Sequence, residues 1–151
     1  MKQNKAEKLL AGVLSISLAM GVSVMPAFAA QVQGPPYEDM SRVYLTKNYE
    51  LANTGTISPE ETFTFAIEPG TVTDASEGIE AANYLPNVGS VTYRQGEAGS
   101  ANKTKQIEIQ LPEYDSVGVY TYIIHEVAGN SAGVTYYGDA ILLRVTVIEQ
   151  D

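Results

Sequence analysis

An acidic side chain lies on a face of a predicted β-strand where apolar residues are expected. The segment GVYTYIIHEV, residues 118–127, is dense in β-branched and aromatic residues, which is typical of a buried strand. Glu126 shares the period-2 phase of Tyr122 and Ile124, so it points to the same face as they do. A carboxyl group on an apolar face must find a partner or stay protonated.

Lys47 is the candidate partner. In RVYLTKNYEL, residues 42–51, it has the same phase as Leu45 and Tyr49, so a second strand also places one ionisable group on an apolar face. Periodicity alone leaves open whether the two groups react, form an ordinary salt bridge, or lie at a sheet edge in water. His125 is adjacent to Glu126, so it is predicted to point to the opposite face and to stand outside the site.

Composition narrows the classes of function. The 151-residue chain carries 9 basic and 18 acidic residues, a net charge of −9, which argues against binding to nucleic acid or to anionic lipid. It contains no cysteine, so thiol nucleophiles, thiolate metal sites and disulfides are excluded. No motif for a metal or another cofactor is recognised, and neither is expected.

The N-terminus has the pattern of a secretory signal. Lys2, Lys5 and Lys8 precede a mainly apolar stretch, and Ala27-Phe28-Ala29 fits a signal-peptidase site. We therefore predict a signal peptide over residues 1–29, an extended leader over 30–41 and one domain over 42–151. The protein is expected to be secreted and to have no membrane segment once the signal is cleaved.

The rest of the chain predicts an all-β protein. About seven short strands alternate with turn signals, and only 75–84 could hold a short helix, so we expect an immunoglobulin-like antiparallel β-sandwich. Pro69-Gly70 is expected to end the second strand. The chain stops soon after a strong strand, so the sandwich is expected to lack its last strand. The predicted strands are 42–52, 62–68, 89–94, 103–111, 118–127, 134–137 and 141–148.

From residue 42 to residue 148 the chain resembles the isopeptide-linkage domain of Gram-positive, streptococcal T-antigen-type pilins. The resemblance rests on four pieces in order: VYLTKNYEL with its Lys, PEETFTFAI, GVYTYIIHEV with its Glu, and GVTYYGDAILLRVTV. It implies an intramolecular isopeptide bond, formed once by attack of a Lys amine on an Asn side chain, with a Glu moving the protons.

Carried over by motif, Lys47 would be the crosslink donor and Glu126 the proton shuttle. The acceptor is unknown and is expected to be an Asn beyond Asp151, because no Asn follows Asn130. Burial favours the neutral forms of amine and carboxyl that this chemistry requires. The resemblance also implies a structural role in a pilus or adhesin shaft at the cell wall, with other pilin subunits and a sortase as partners.

Two other classes of function stay open. An immunoglobulin-like adhesin module would bind a host glycan or protein through its loops, and an aromatic patch at one end of the sandwich would favour it over a buried Lys–Glu pair. A secreted enzyme is not supported, because no constellation of nucleophile, base and acid is recognised, and the fold alone implies no function.

Overall fold

The computed structural model describes residues 9–17 and 40–149, and the backbone alone for 9–17. The predicted signal-peptidase site and the leader up to residue 39 lie outside the described residues. Within residues 40–149 the chain forms a β-sandwich of two antiparallel sheets, as the alternating sequence predicts. No helix in the described part of the chain is long and apolar enough to span a membrane.

Eight strands make up the described structure. Five of them form one sheet in the order β1-β8-β7-β3-β5, and three form the other in the order β2-β6-β4. The strands are β1 (Leu9–Ser17), β2 (Arg42–Asn48), β3 (Glu61–Thr73), β4 (Asn87–Val88), β5 (Val91–Tyr93), β6 (Thr104–Gln110), β7 (Gly118–Val127) and β8 (Ile141–Glu149).

The core lies between the inner faces of the two sheets. On β7 the buried positions alternate from Gly118 through Glu126, and on β2 Val43 and Leu45 are buried while their neighbours are exposed. This alternation is the one read from the sequence, so the phases assigned to these two strands are confirmed. The largest fully buried side chains are Tyr93, Tyr120, Tyr122, Phe63, Ile107, Ile109, Ile124, Leu143 and Val145.

The buried tyrosines keep their hydroxyl groups hydrogen-bonded. Tyr122 donates to the carbonyl oxygen of Tyr84 at 2.6 Å, and Tyr120 donates to that of Ser116 at 2.8 Å. Tyr84 itself belongs to the 3₁₀ helix Ala81–Tyr84, which is the only helix in the described residues and falls inside the stretch predicted to hold one. These rings therefore pack as core residues with a bonded polar tip.

Strand β3 continues past the point where we expected it to end. Pro69 still pairs with Tyr122, Gly70 and Thr71 form a β-bulge opposite Thr121, and the strand then pairs with β7 as far as Thr73. The Thr121 side chain closes the bulge, since its Oγ1 accepts from the Thr71 N–H at 2.7 Å and donates to the Thr71 carbonyl at 2.9 Å. The prediction was wrong because a side chain supplies the ladder bonds that the bulge interrupts.

The predicted strand at 134–137 is also wrong. Residues 128–140, the β7–β8 loop, form no strand. The Val134 N–H donates to the carbonyl of Ser131 in a turn, and the Tyr137 N–H donates to the side chain of Glu126. The backbone groups that a strand would use for pairing are therefore engaged elsewhere. The expected strand at 89–94 is present but shorter, as β5, and the two-residue strand β4 just before it was not predicted.

Candidate functional site

Lys47 and Glu126 meet inside the sandwich. Lys47 lies on the inner face of β2 and Glu126 on the inner face of β7, so each sheet contributes one group. The Lys47 Nζ donates to the Glu126 Oε2 at 2.6 Å. The lysine side chain is 14% exposed and the glutamate side chain 2% exposed. The structure thus brings together the two residues that the period-2 pattern singled out.

Both oxygens of the Glu126 carboxyl group have a donor. Oε2 faces Lys47, and Oε1 accepts from the backbone N–H of Tyr137 at 3.1 Å. A buried carboxyl group is costly unless its lone pairs are satisfied, and here one charged donor and one neutral donor share them. The carboxyl group is therefore held in one orientation, with Oε2 toward the amine.

Aromatic rings form the other side of the lysine pocket. The Lys47 Nζ lies 4.1 Å from the centroid of the Phe63 ring, and Tyr49 and Tyr93 pack edge-on against that ring. The Tyr93 hydroxyl donates to the backbone carbonyl of Lys47 at 2.7 Å. Ring and hydroxyl together fix the backbone and the amine of Lys47, so the amine has little freedom to leave Glu126.

A hollow of about 50 Å³ opens beside the pair. Leu45, Phe65 and Ile141 line it together with the two ionisable groups. Pockets for small-molecule ligands usually measure about 300–1,000 Å³. The hollow thus suits a side chain brought to the lysine better than a diffusing substrate.

Lys47 also lies at the edge of its sheet. The three-stranded sheet runs β2-β6-β4, so β2 has β6 on one side and no strand on the other among the described residues. An edge strand presents unpaired backbone N–H and C=O groups that can accept a further strand. A strand added there would run past the lysine.

No acceptor is placed at the site by residues 40–149. None of the six asparagines in this range is hydrogen-bonded to Lys47 or Glu126. Asn48 lines the hollow, but its side chain donates to Glu50 at 2.6 Å and its Oδ1 accepts from Thr104 at 3.3 Å. Asn48 is an exposed residue on the face of β2 opposite Lys47, as expected for its neighbour in a strand.

Sequence reasoning missed two contributors to the site. Glu61 is 8% exposed and accepts from the Tyr136 hydroxyl at 2.9 Å. It has the phase of Phe63 and Phe65, so one more step of the alternation in ETFTFAI would have placed it inside. The Tyr137 N–H carries no sequence signal, because any residue except proline supplies such a donor.

His125 lies outside the site. It is half-buried on β7 between Ile124 and Glu126, both buried, and its partner on β3 is the exposed Ala66. The expectation that it points to the opposite face is confirmed.

Comparison with known proteins identifies the family of the chain. A family model described as the Spy0128-like isopeptide containing domain matches residues 43–151. The chain belongs to this family. It is also 27% identical, over 134 residues, to a pilin of Streptococcus pyogenes serotype M1, with 87% of this chain covered. The match spans only 39% of the length of that pilin, and no solved structure matches the chain.

Proposed function

We propose that this chain is a structural domain of a Gram-positive pilus or surface adhesin shaft, stabilised by an isopeptide bond between Lys47 and an asparagine outside residues 1–151. The observation that carries the proposal is the Lys47–Glu126 pair, which lies between the sheets at 2.6 Å with Lys47 on an edge strand. Membership of the family and the similarity to a streptococcal pilin support it.

The reaction begins with a proton transfer within the pair. Lys47 gives one proton to the Oε2 of Glu126, so that a neutral amine faces a neutral carboxyl group. An amine must be neutral to act as a nucleophile, and a low-dielectric interior favours two neutral groups over two charges more than water does. The 2.6 Å separation lets the proton cross without movement of either strand.

The bond then forms between Nζ and the side-chain carbon of the acceptor amide. The protonated carboxyl group donates to the amide oxygen while the amine adds to the amide carbon. The bond between that carbon and the former amide nitrogen then breaks. That nitrogen leaves as ammonia with its electron pair and takes the proton that the amine loses. Glu126 gives its proton to the amide oxygen and receives it back when the carbonyl group re-forms. The departing ammonia then carries that proton away as ammonium, so Glu126 returns to the carboxylate of the original pair.

The edge of β2 that has no neighbouring strand in the described part of the chain is the proposed place for the acceptor. A strand that pairs with β2 would carry its inward side chain into the hollow beside Lys47 and Phe65. The two partners would then be held at contact distance, which converts a slow reaction between amine and amide into an intramolecular one. The reaction runs once per chain, so the protein is not a turnover enzyme.

The product would close a loop most of a domain long. By analogy with a disulfide that spans a comparable loop, it would stabilise the fold by roughly 4–5 kcal/mol. A chain without cysteine would thus gain a covalent link that no reductant opens. This suits a secreted, cell-wall or pilus-associated shaft under tension. Other pilin subunits and a sortase are the proposed partners, and a host surface ligand is a further proposed partner.

Intact-mass spectrometry of the protein expressed from its natural gene, with whatever the frame encodes after Asp151, tests the proposal. We expect a mass lower than the sequence mass, after signal removal, by one molecule of ammonia. Lys47→Ala and Glu126→Ala should each retain the full sequence mass, whereas Lys103→Ala, which removes an exposed lysine paired with Glu50, should still lose ammonia. Retention of ammonia by the unsubstituted protein, or its loss from both site variants, would contradict the proposal.

A further inference from the structure

Two successive residues of the β7–β8 loop are each attached to a buried carboxyl group. The Tyr136 hydroxyl donates to the Oε1 of Glu61 at 2.9 Å, and the N–H of Tyr137 donates to the Oε1 of Glu126 at 3.1 Å. Glu61 is 8% exposed and belongs to no ion pair among the described residues. The carboxyl group of Glu61 is therefore bonded to the tyrosine of this loop.

The two attachments are mechanically linked. The N–H that reaches Glu126 belongs to the peptide group joining Tyr136 to Tyr137. A tyrosine side chain that is hydrogen-bonded at its hydroxyl and packed against a neighbouring ring restricts its own backbone, and so restricts the direction of that N–H. The Tyr136 ring lies 5.8 Å from the ring of Phe63, the same ring that supports the Lys47 amine.

A glycine lets the tyrosine reach its position. A methyl group on Gly129 would lie 2.4 Å from the Tyr136 hydroxyl oxygen, well inside van der Waals contact. Any larger residue at this position would push the hydroxyl away from Glu61. Gly138, in the same loop, has nothing within 4 Å of the corresponding point.

The N–H of Tyr137 also decides which oxygen of Glu126 can carry the proton. In a neutral carboxyl group the carbonyl oxygen is the better acceptor, so a donor fixed on Oε1 leaves Oε2 as the hydroxyl oxygen. Oε2 is the oxygen 2.6 Å from the Lys47 Nζ. The proton then lies on the side where amine and acceptor meet, which is where it is needed.

From these contacts we infer that Glu61, acting through Tyr136, is a positioning residue that aims the Tyr137 N–H at Glu126 and so directs its proton toward Lys47. This inference rests on the proposed function. Glu61 itself contacts neither reacting group: it holds the loop, and the loop orients the carboxyl group.

Amide hydrogen exchange at Tyr137, measured by NMR on the 151-residue chain, tests the linkage without any acceptor. Tyr136→Phe removes one oxygen atom and keeps the ring, and we expect exchange at Tyr137 to be about tenfold faster or more. Glu61→Leu should do the same, whereas Glu61→Gln keeps an acceptor oxygen and should restore slow exchange. Gly129→Ala should speed exchange, while Gly138→Ala should not.

The rate of ammonia loss in the natural gene product tests the consequence. Tyr136→Phe and Glu61→Leu should slow it by about tenfold, and Glu61→Gln should react at the unsubstituted rate. Unchanged exchange and unchanged rate in Tyr136→Phe would overturn the inference while leaving the crosslink intact. Absence of ammonia loss from the unsubstituted protein would instead contradict the proposed function, and the exchange measurement would still decide whether the linkage exists.

Discussion

Removal of the Lys47 amine should destabilise the fold far more than the loss of an ordinary ion pair. In Lys47→Met the carboxyl group of Glu126, whose side chain is 2% exposed, keeps its hydrogen bond from the Tyr137 N–H but loses its ion pair with the lysine. An uncompensated buried charge of this kind costs about 3–5 kcal/mol. Because small domains are stable by about 5–15 kcal/mol, the variant should lose a large share of its stability.

The reverse change should cost less. In Glu126→Gln the ammonium group remains 14% exposed and keeps its contact with the Phe63 ring at 4.1 Å, so water and ring both compensate part of its charge. The double variant buries no charge at this site. We expect it to be more stable than Lys47→Met alone, so that the two substitutions are clearly non-additive.

Urea unfolding followed by circular dichroism on the 151-residue chain gives these free energies, because this chain lacks the proposed acceptor and the ion pair is measured without a crosslink. Lys103→Met is the matched control: its partner Glu50 lies at 2.8 Å, but both side chains are exposed. The control should change stability much less. If Lys47→Met lowers the free energy of unfolding no more than the control does, Lys47 and Glu126 do not form a buried charge pair.

Two further predictions concern the scaffold. Gly70→Ala places a methyl group 2.6 Å from the Thr121 hydroxyl oxygen and 2.7 Å from its carbonyl oxygen, so it should lower the free energy of unfolding by about 1–3 kcal/mol. Gly138→Ala is the control, because its methyl group meets no atom within 4 Å. Equal urea midpoints for the two variants would refute the packing at the bulge. Burial raises the pKa of Tyr93 and of Tyr114 from 10.0 to about 12. The folded state therefore holds these protons more tightly than the unfolded state, and stability that is complete below pH 10 should be lost as the pH rises to about 12. Tyrosinate absorbance and circular dichroism should then change together for these residues, and full ionisation near pH 10 with the fold intact would contradict this.

The sequence located the Lys47–Glu126 pair because the side chains of a strand alternate between its two faces. Lys47 and Glu126 are each a charged residue among apolar residues on one face of a strand. This signal does not depend on the exact strand limits, such as the end of β2 at Asn48 instead of residue 52. The contact itself did not follow from the pattern, since any two inward groups in facing sheets would have given the same signal. The 2.6 Å geometry required the packing of both sheets.

The parts of the site that escaped prediction depend on a loop. VTYY at 134–137 reads as a strand, yet its tyrosines turn toward Glu61 and Glu126. Tertiary contacts to buried carboxyl groups override the local preference for a strand. The pattern of residues along this segment does not reveal those contacts. The bulge at Gly70 was missed for a similar reason, because the Thr121 hydroxyl on another strand completes the ladder.

Peptide mapping by tandem mass spectrometry tests the central claim most directly. The protein from the natural gene, unfolded and digested, should yield a branched peptide in which the Nζ of Lys47 is joined to the side chain of an asparagine, with one ammonia missing. Recovery of every Lys47 peptide as a linear peptide with a free amine would contradict the account, and would leave the buried Lys47–Glu126 contact as a structural ion pair.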